Sequence, residues 1–189
     1  MLLVLTGIFV FVLLSLLIFA SPKLSPIPYF PSNKKDIPRI LEMLAISNNK
    51  IVIDFGAGDG SVVVAGASYA YSRRLDTQFI AVEINPYLLC LLHMRRLFHP
   101  NRKNIYIIRF DMFRDSIQTL VPLTPREKNH AVSITSYFYI SPRYLQPMKK
   151  RLVKAAPQST IVTYFYAMPE MVPEKIVHGI HSIYRYRLP

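Results

Sequence analysis

The chain holds a single cysteine, Cys90, among its 189 residues. An internal disulfide framework and a cysteine-based zinc site are both excluded. Acidic residues are scarce: 11 Asp and Glu stand against 23 Lys and Arg, for a formal net charge of +12. Met1 to Ala20 carry no charge of either sign. No internal repeat and no low-complexity tract occurs outside one proline-rich stretch. The histidines lack metal-ligand spacing: His178 and His181 stand three apart with no third ligand in the pattern. What is present is a chain with 51% apolar residues, enough for one domain with a real core and too many for a disordered segment.

The opening run, MLLVLTGIFVFVLLSLLIFA, has the length of a membrane-spanning helix, since twenty helical residues extend about 30 Å. No basic residue precedes it, as a secretory signal peptide would require. The basic residues follow instead: Lys23, Lys34, Lys35 and Arg39. By the positive-inside rule, the expectation is a single-pass anchor over residues 1–20, with the rest facing the cytoplasm or the mitochondrial matrix. A signal cleaved after Ala20 is the alternative. Five prolines between Pro22 and Pro38 forbid a continuous helix, so 21–35 reads as a linker and pre-domain loop, and 36–189 as the domain.

Within the domain, helical and extended patterns alternate. Ile37, Ile40, Leu41 and Leu44 mark one face of a helix over 36–45. Ile51-Val52-Ile53-Asp54 suits a strand buried on both faces of a parallel sheet. A glycine-rich turn and a small-residue helix over 61–70 follow. Further strands are predicted over 79–84, 104–110, 131–139 and 160–167, with a last one over 181–188. Asn85-Pro86 opens a helix to about Phe98, with Asn as N-cap and Pro at the first helical position. Another helix covers 142–155. The class is α/β: a doubly wound, mostly parallel Rossmann-like sheet preceded by the apolar N-terminal helix. Cys90, inside an apolar helix, is expected in the core.

Three acidic constellations fall at predicted strand ends. The first is the turn Asp54-Phe55-Gly56-Ala57-Gly58-Asp59-Gly60, between strand and helix. Its glycines admit positive φ and close approach of a ligand. The third glycine comes one place early for a dinucleotide fingerprint, and Asp54 and Asp59 would repel a pyrophosphate but not a cation. The second is Glu83, 23 residues past Gly60, placed to bind both hydroxyls of a ribose. The third is Asp111 in RFDMF, placed to reach an adenine edge.

These residues in this order resemble class I S-adenosylmethionine-dependent methyltransferases. Over residues 27–170, the segments PYFPS, DFGAGDGSVVVAGA, VEINPYLL and RFDMF resemble the small membrane-anchored protein-lysine methyltransferases, a family that acts on the ATP synthase c-subunit and the adenine nucleotide translocase. The resemblance implies S-adenosylmethionine as cofactor. It implies that Pro31 and Ser32 border the cofactor, and that Asp54, Gly56, Ala57, Gly58, Asp59 and Gly60 line its methionine part. Glu83, Ile84 and Asn85 would hold the ribose side, and Asp111 and Met112 the adenine. Tyr29, Tyr137 and Tyr139 are the candidates for positioning a target amine, with Tyr137 and Tyr139 on one strand face opposite Phe138. No metal is implied.

Two departures stand out. Ser136-Tyr137-Phe138-Tyr139 replaces the acid-Pro-Pro-aromatic motif usual in amide and adenine methyltransferases, which disfavours a nucleic-acid substrate. The chain also ends early, and the expectation is a sheet without the superfamily's last antiparallel strand. Between His93 and Lys154 there are 13 Lys and Arg against 3 Asp and Glu. A nucleic-acid groove or an anionic membrane surface would show this excess; the apolar N-terminus favours the membrane, and the implied partner is a lysine-bearing membrane protein. A lipid or quinone methyltransferase and a catalytically silent binding module are the competing readings.

Overall fold

A computed structural model describes residues 1–19, 27–120 and 132–189. The first helix, α1 (Leu2–Phe19), forms where the apolar run predicts one. At 18 residues it extends about 27 Å, against roughly 30 Å for a bilayer's hydrocarbon core. Among the described residues, no helix is long and apolar enough to cross a membrane. Ala20, where the expected anchor ends, and most of the linker lie outside the described residues.

Among the described residues, the domain interleaves four α-helices with seven strands: α2 (Ile37–Leu44), β1 (Lys50–Phe55), α3 (Ser61–Ser72), β2 (Gln78–Glu83), α4 (Pro86–Leu97), β3 (Ile105–Arg109), β4 (Ser133–Phe138), α5 (Pro142–Ala155), β5 (Thr160–Tyr164), β6 (Lys175–His178) and β7 (Ser182–Arg187). The strands form one sheet in the order β3-β2-β1-β4-β5-β7-β6. β3, β2, β1, β4 and β5 run parallel, and β7 is antiparallel to both β5 and β6. The expectation of a sheet without its final antiparallel strand is therefore corrected. Lys175–His178, a four-residue edge strand with mostly exposed side chains, escaped the sequence pattern because it has no buried face to alternate.

Period-two alternation divides the core into two layers. Val52, Phe79, Ala81, Tyr137 and Val162 face α2, α3 and α4. Ile51, Ile53, Ile80, Val82, Phe138 and Ile161 face α5 through Leu145, Met148 and Leu152. Tyr137 and Phe138 thus lie on opposite faces as predicted. α3 lies close on the sheet because Gly66 has no Cβ, which would stand 2.6 Å from the Phe79 ring. Asn85 caps α4 by accepting the Tyr87 amide at 3.0 Å. Cys90 is exposed, contrary to the expected core position. α4 buries Leu88 and Leu92; Cys90, two residues from each, is carried to the other side of the helix.

Candidate functional site

Strand order reverses beside β1, and the carboxyl ends of β1, β2, β3 and β4 open onto one cleft, the place where doubly wound sheets take ligands. The turn after β1 forms its floor. Gly56, Gly58 and Gly60 have φ of 82°, 58° and 77°. The Gly56 and Ala57 amides both donate to the Val82 carbonyl at 2.9 Å, tying the turn to β2. A Cβ on Gly58 would lie 2.7 Å from the Tyr29 ring, so only glycine leaves the floor clear under that ring.

Glu83 ends β2 and is held by three amides. One oxygen accepts the Gly58 N–H at 2.8 Å, and the other accepts those of Ile84 and Asn85 at 2.8 and 2.9 Å. The carboxylate is locked facing the cleft, with acceptor capacity left over. Asp111 accepts the Phe113 amide at 2.9 Å at the far end. Asp54 lies 3% exposed at the end of β1. Burial, reinforced by the carboxylates of Glu83 and Asp59, pushes its carboxyl up to about 8. Asp59 is engaged elsewhere: it accepts from the Ser61 hydroxyl at 2.7 Å and pairs with Arg95 at 3.0 Å.

The roof comes from residues 27–33. Ser32 Oγ and Tyr137 Oη share a hydrogen bond of 2.9 Å. Tyr164 Oη accepts the Asn33 amide at 3.4 Å and donates to Asp36 at 2.8 Å. Asp36 also accepts the Ile180 and His181 amides, at 2.7 and 2.9 Å, from the β6–β7 turn. Burial alone would raise the Asp36 carboxyl; these amides and the Tyr164 hydroxyl hold it below its ordinary value. Gly179 makes this latch possible, because a Cβ there would collide with the Asp36 carboxylate.

The cleft, open to solvent, spans about 570 Å³ and brings Gly56, Gly58, Glu83, Ile84, Asp111 and Met112 together. A smaller recess of about 290 Å³ gathers Pro31, Ser32, Asp54, Ala57, Asp59 and Tyr137. Tyr29 and Tyr139 border both. Gly60 and Asn85 shape the turn and the α4 cap without lining either space. Beyond Phe30 and Tyr139 lies an open groove of about 1000 Å³ walled by Ile140, Tyr144 and Tyr166.

The aromatic candidates separate on inspection. Tyr137 is fully buried and holds Ser32, so it positions the roof. Tyr139 stands between the cleft and the outer groove, its ring edge-on to Tyr164 at 4.9 Å. Burial raises the hydroxyls of Tyr29, Tyr137 and Tyr139 above the usual phenol range. Phe30, in the segment expected to fold over the site, walls the cleft, as do Leu88, Phe110 and Phe113, which were not foreseen. Nor was Tyr164, although Tyr164-Phe165-Tyr166 at the end of β5 repeats the Tyr137-Phe138-Tyr139 run of its neighbour β4.

No family model matches the chain. Among solved structures, it is similar to an RNA methyltransferase from Salinibacter ruber in complex with S-adenosyl-L-homocysteine: TM-score 0.66 and 20% identity over 85% of this chain and 94% of that one. The chain has the class I S-adenosylmethionine-dependent methyltransferase fold. Two curated methyltransferases are similar in sequence. The ATP synthase c-subunit lysine N-methyltransferase of Xenopus laevis is 24% identical over 98% of this chain and 77% of its own length. A protein-lysine N-methyltransferase of Saccharolobus islandicus is 34% identical over 31% of this chain and 34% of its own. As a methyltransferase cleft, the site fits its cofactor chemically. Glu83, with acceptor capacity left over, would suit a ribose diol, and Ile84, Phe110, Met112 and Phe113 offer apolar walls beside Asp111 that would suit an adenine. Asp54, once ionised, would give the recess the sign a sulfonium cation needs, while Asp59 is already paired with Arg95.

Proposed function

We propose that the protein N-methylates a lysine of a membrane protein, using S-adenosylmethionine. The observation that carries the reading is Tyr139, which joins the carboxylate-lined cleft to an aromatic outer groove wide enough for a side chain to enter. The two lysine methyltransferases similar in sequence support it. When bound, S-adenosylmethionine supplies a methyl group on a sulfonium cation, open to in-line displacement. Glu83, Asp111 and Asp54 hold that ligand in one orientation. The roof at Tyr29–Ser32 covers part of the recess. Desolvation between Tyr29, Phe30 and Tyr139 lowers the pKa of an entering lysine, so its amine reacts neutral with its lone pair free. Its surplus proton leaves to water through the outer groove. With its hydroxyl raised by burial, Tyr139 orients the amine by hydrogen bonding and does not act as its base.

The apolar α1 and the excess of basic residues after His93 support a place on an anionic membrane, with the domain facing the cytoplasm or the matrix. The apolar groove walls also suit a lipid or quinone acceptor. The test is incubation of the full chain with methyl-labelled S-adenosylmethionine and membranes of its own host, followed by solvent extraction. The proposal expects label in a protein band, lost on protease treatment and mapped to a lysine. Label in the organic phase instead means a lipid or quinone acceptor, and cofactor binding with label in neither fraction means a silent module.

A further inference from the structure

α4 is apolar on two sides. Leu88 and Leu92 face the sheet, while Tyr87, Cys90, Met94 and Leu97 form a stripe along the outer side, continued by Phe98. Met94 is 51% exposed, Leu97 60% and Phe98 84%. Isolated exposed apolar residues need no explanation, but a contiguous stripe does. The stripe borders a shallow groove whose other wall is Arg102 and Lys103, both exposed. Arg96 fixes that wall: its guanidinium donates to the carbonyls of Arg102 at 3.1 Å and Ile105 at 2.7 Å. No carboxylate lines the groove among the described residues, and α4 itself contains none.

We propose that this face of α4 rests on an anionic bilayer, with the stripe entering the headgroup zone and Arg102 and Lys103 pairing with lipid phosphates. The apolar face with a basic edge is the pattern of interfacial helices. The tether agrees. Leu88 of α4 and Ile27 line the same cleft, and Ile27 follows Phe19, the end of α1, by eight residues, a reach of at most about 28 Å. If α1 is held by a membrane, α4 lies within range of the same surface. The inference rests on the membrane association proposed above and not on the identity of the methyl acceptor.

Cys90, the chain's single cysteine, lies within the stripe and provides the probe. The full chain, spin-labelled at Cys90, is mixed with vesicles of phosphatidylcholine alone or with phosphatidylglycerol added, and flotation is measured alongside accessibility to oxygen and to a water-soluble nickel chelate. The expected result is flotation with a several-fold rise in the oxygen-to-nickel ratio, larger with phosphatidylglycerol. Leu97→Glu with Phe98→Glu returns the label to water while cofactor binding, read by calorimetry, stays intact. Flotation with a water-exposed Cys90 overturns the α4 surface and leaves membrane association standing. Failure to float overturns both. A label shielded without vesicles, in a chain of doubled mass, overturns the proposal in favour of a second copy on this face.

Discussion

The two halves of the cleft are built by different means. The cofactor half is made of backbone and carboxylates drawn from neighbouring strand ends: the 56–60 turn, Glu83 with its three amides, and Asp111. The acceptor half is made of aromatic rings brought from far apart in the chain. Ser32 meets Tyr137 across 105 positions, Tyr164 meets Asp36 across 128, and His181 meets Asp36 across 145. The first half is preorganised by local geometry and tolerates little change. The second is held by a few long-range hydrogen bonds to buried side chains.

That contrast can be tested by striking each half. Glu83→Ala removes the ribose partner and leaves the Gly58, Ile84 and Asn85 amides without their acceptor. S-adenosylmethionine affinity is expected to fall ten- to a hundredfold by calorimetry, about 1.4–2.7 kcal/mol. An unchanged dissociation constant would remove Glu83 from that role. Gly58→Ala strikes where the halves touch, placing a Cβ against the Tyr29 ring at a φ of 58°. Both cofactor affinity and turnover are expected to drop about tenfold. Tyr164→Phe loosens only the roof, by cutting its bonds to Asp36 and Asn33. Turnover should fall about fivefold while cofactor affinity stays within about twofold, a split that calorimetry and initial rates would show. Equal losses in both would mean the halves are not separable. Tyr137→Phe removes one buried hydroxyl pair and should lower stability by about 1 kcal/mol, a Tm shift of about 3 °C by calorimetric melting.

The same division explains what could be read in advance. The turn, Glu83 and Asp111 were legible because each motif sits in a short stretch whose strand-turn-helix context the pattern also reveals. The N-cap at Asn85 and the alternation of Tyr137 and Phe138 were legible for the same reason. The latch around Asp36 was not, because nothing local says that a carboxylate before α2 will meet a turn near residue 180. Cys90 was misplaced because α4 is apolar on both sides, so its periodicity does not reveal which face is inside. The β6–β7 ribbon was missed in part because four exposed residues carry no core signal.

The most direct test of the carboxylate-lined cleft is binding of S-adenosylmethionine and S-adenosylhomocysteine across pH. Asp54 carries its proton up to about 8 in the free protein, mainly through burial. Between its ordinary value of 3.8 and about 8, the folded chain binds more protons than the unfolded one, so this group's contribution to stability falls as pH rises. A sulfonium cation favours the ionised form and must displace that proton. The expected result is 1:1 binding of both ligands. S-adenosylmethionine should tighten by close to tenfold per pH unit from 6 towards 8 and then level off, while the uncharged thioether product stays nearly flat. Parallel pH profiles for the two ligands, or no binding of either, would contradict a cleft whose carboxylates are arranged for a methyl-bearing cation.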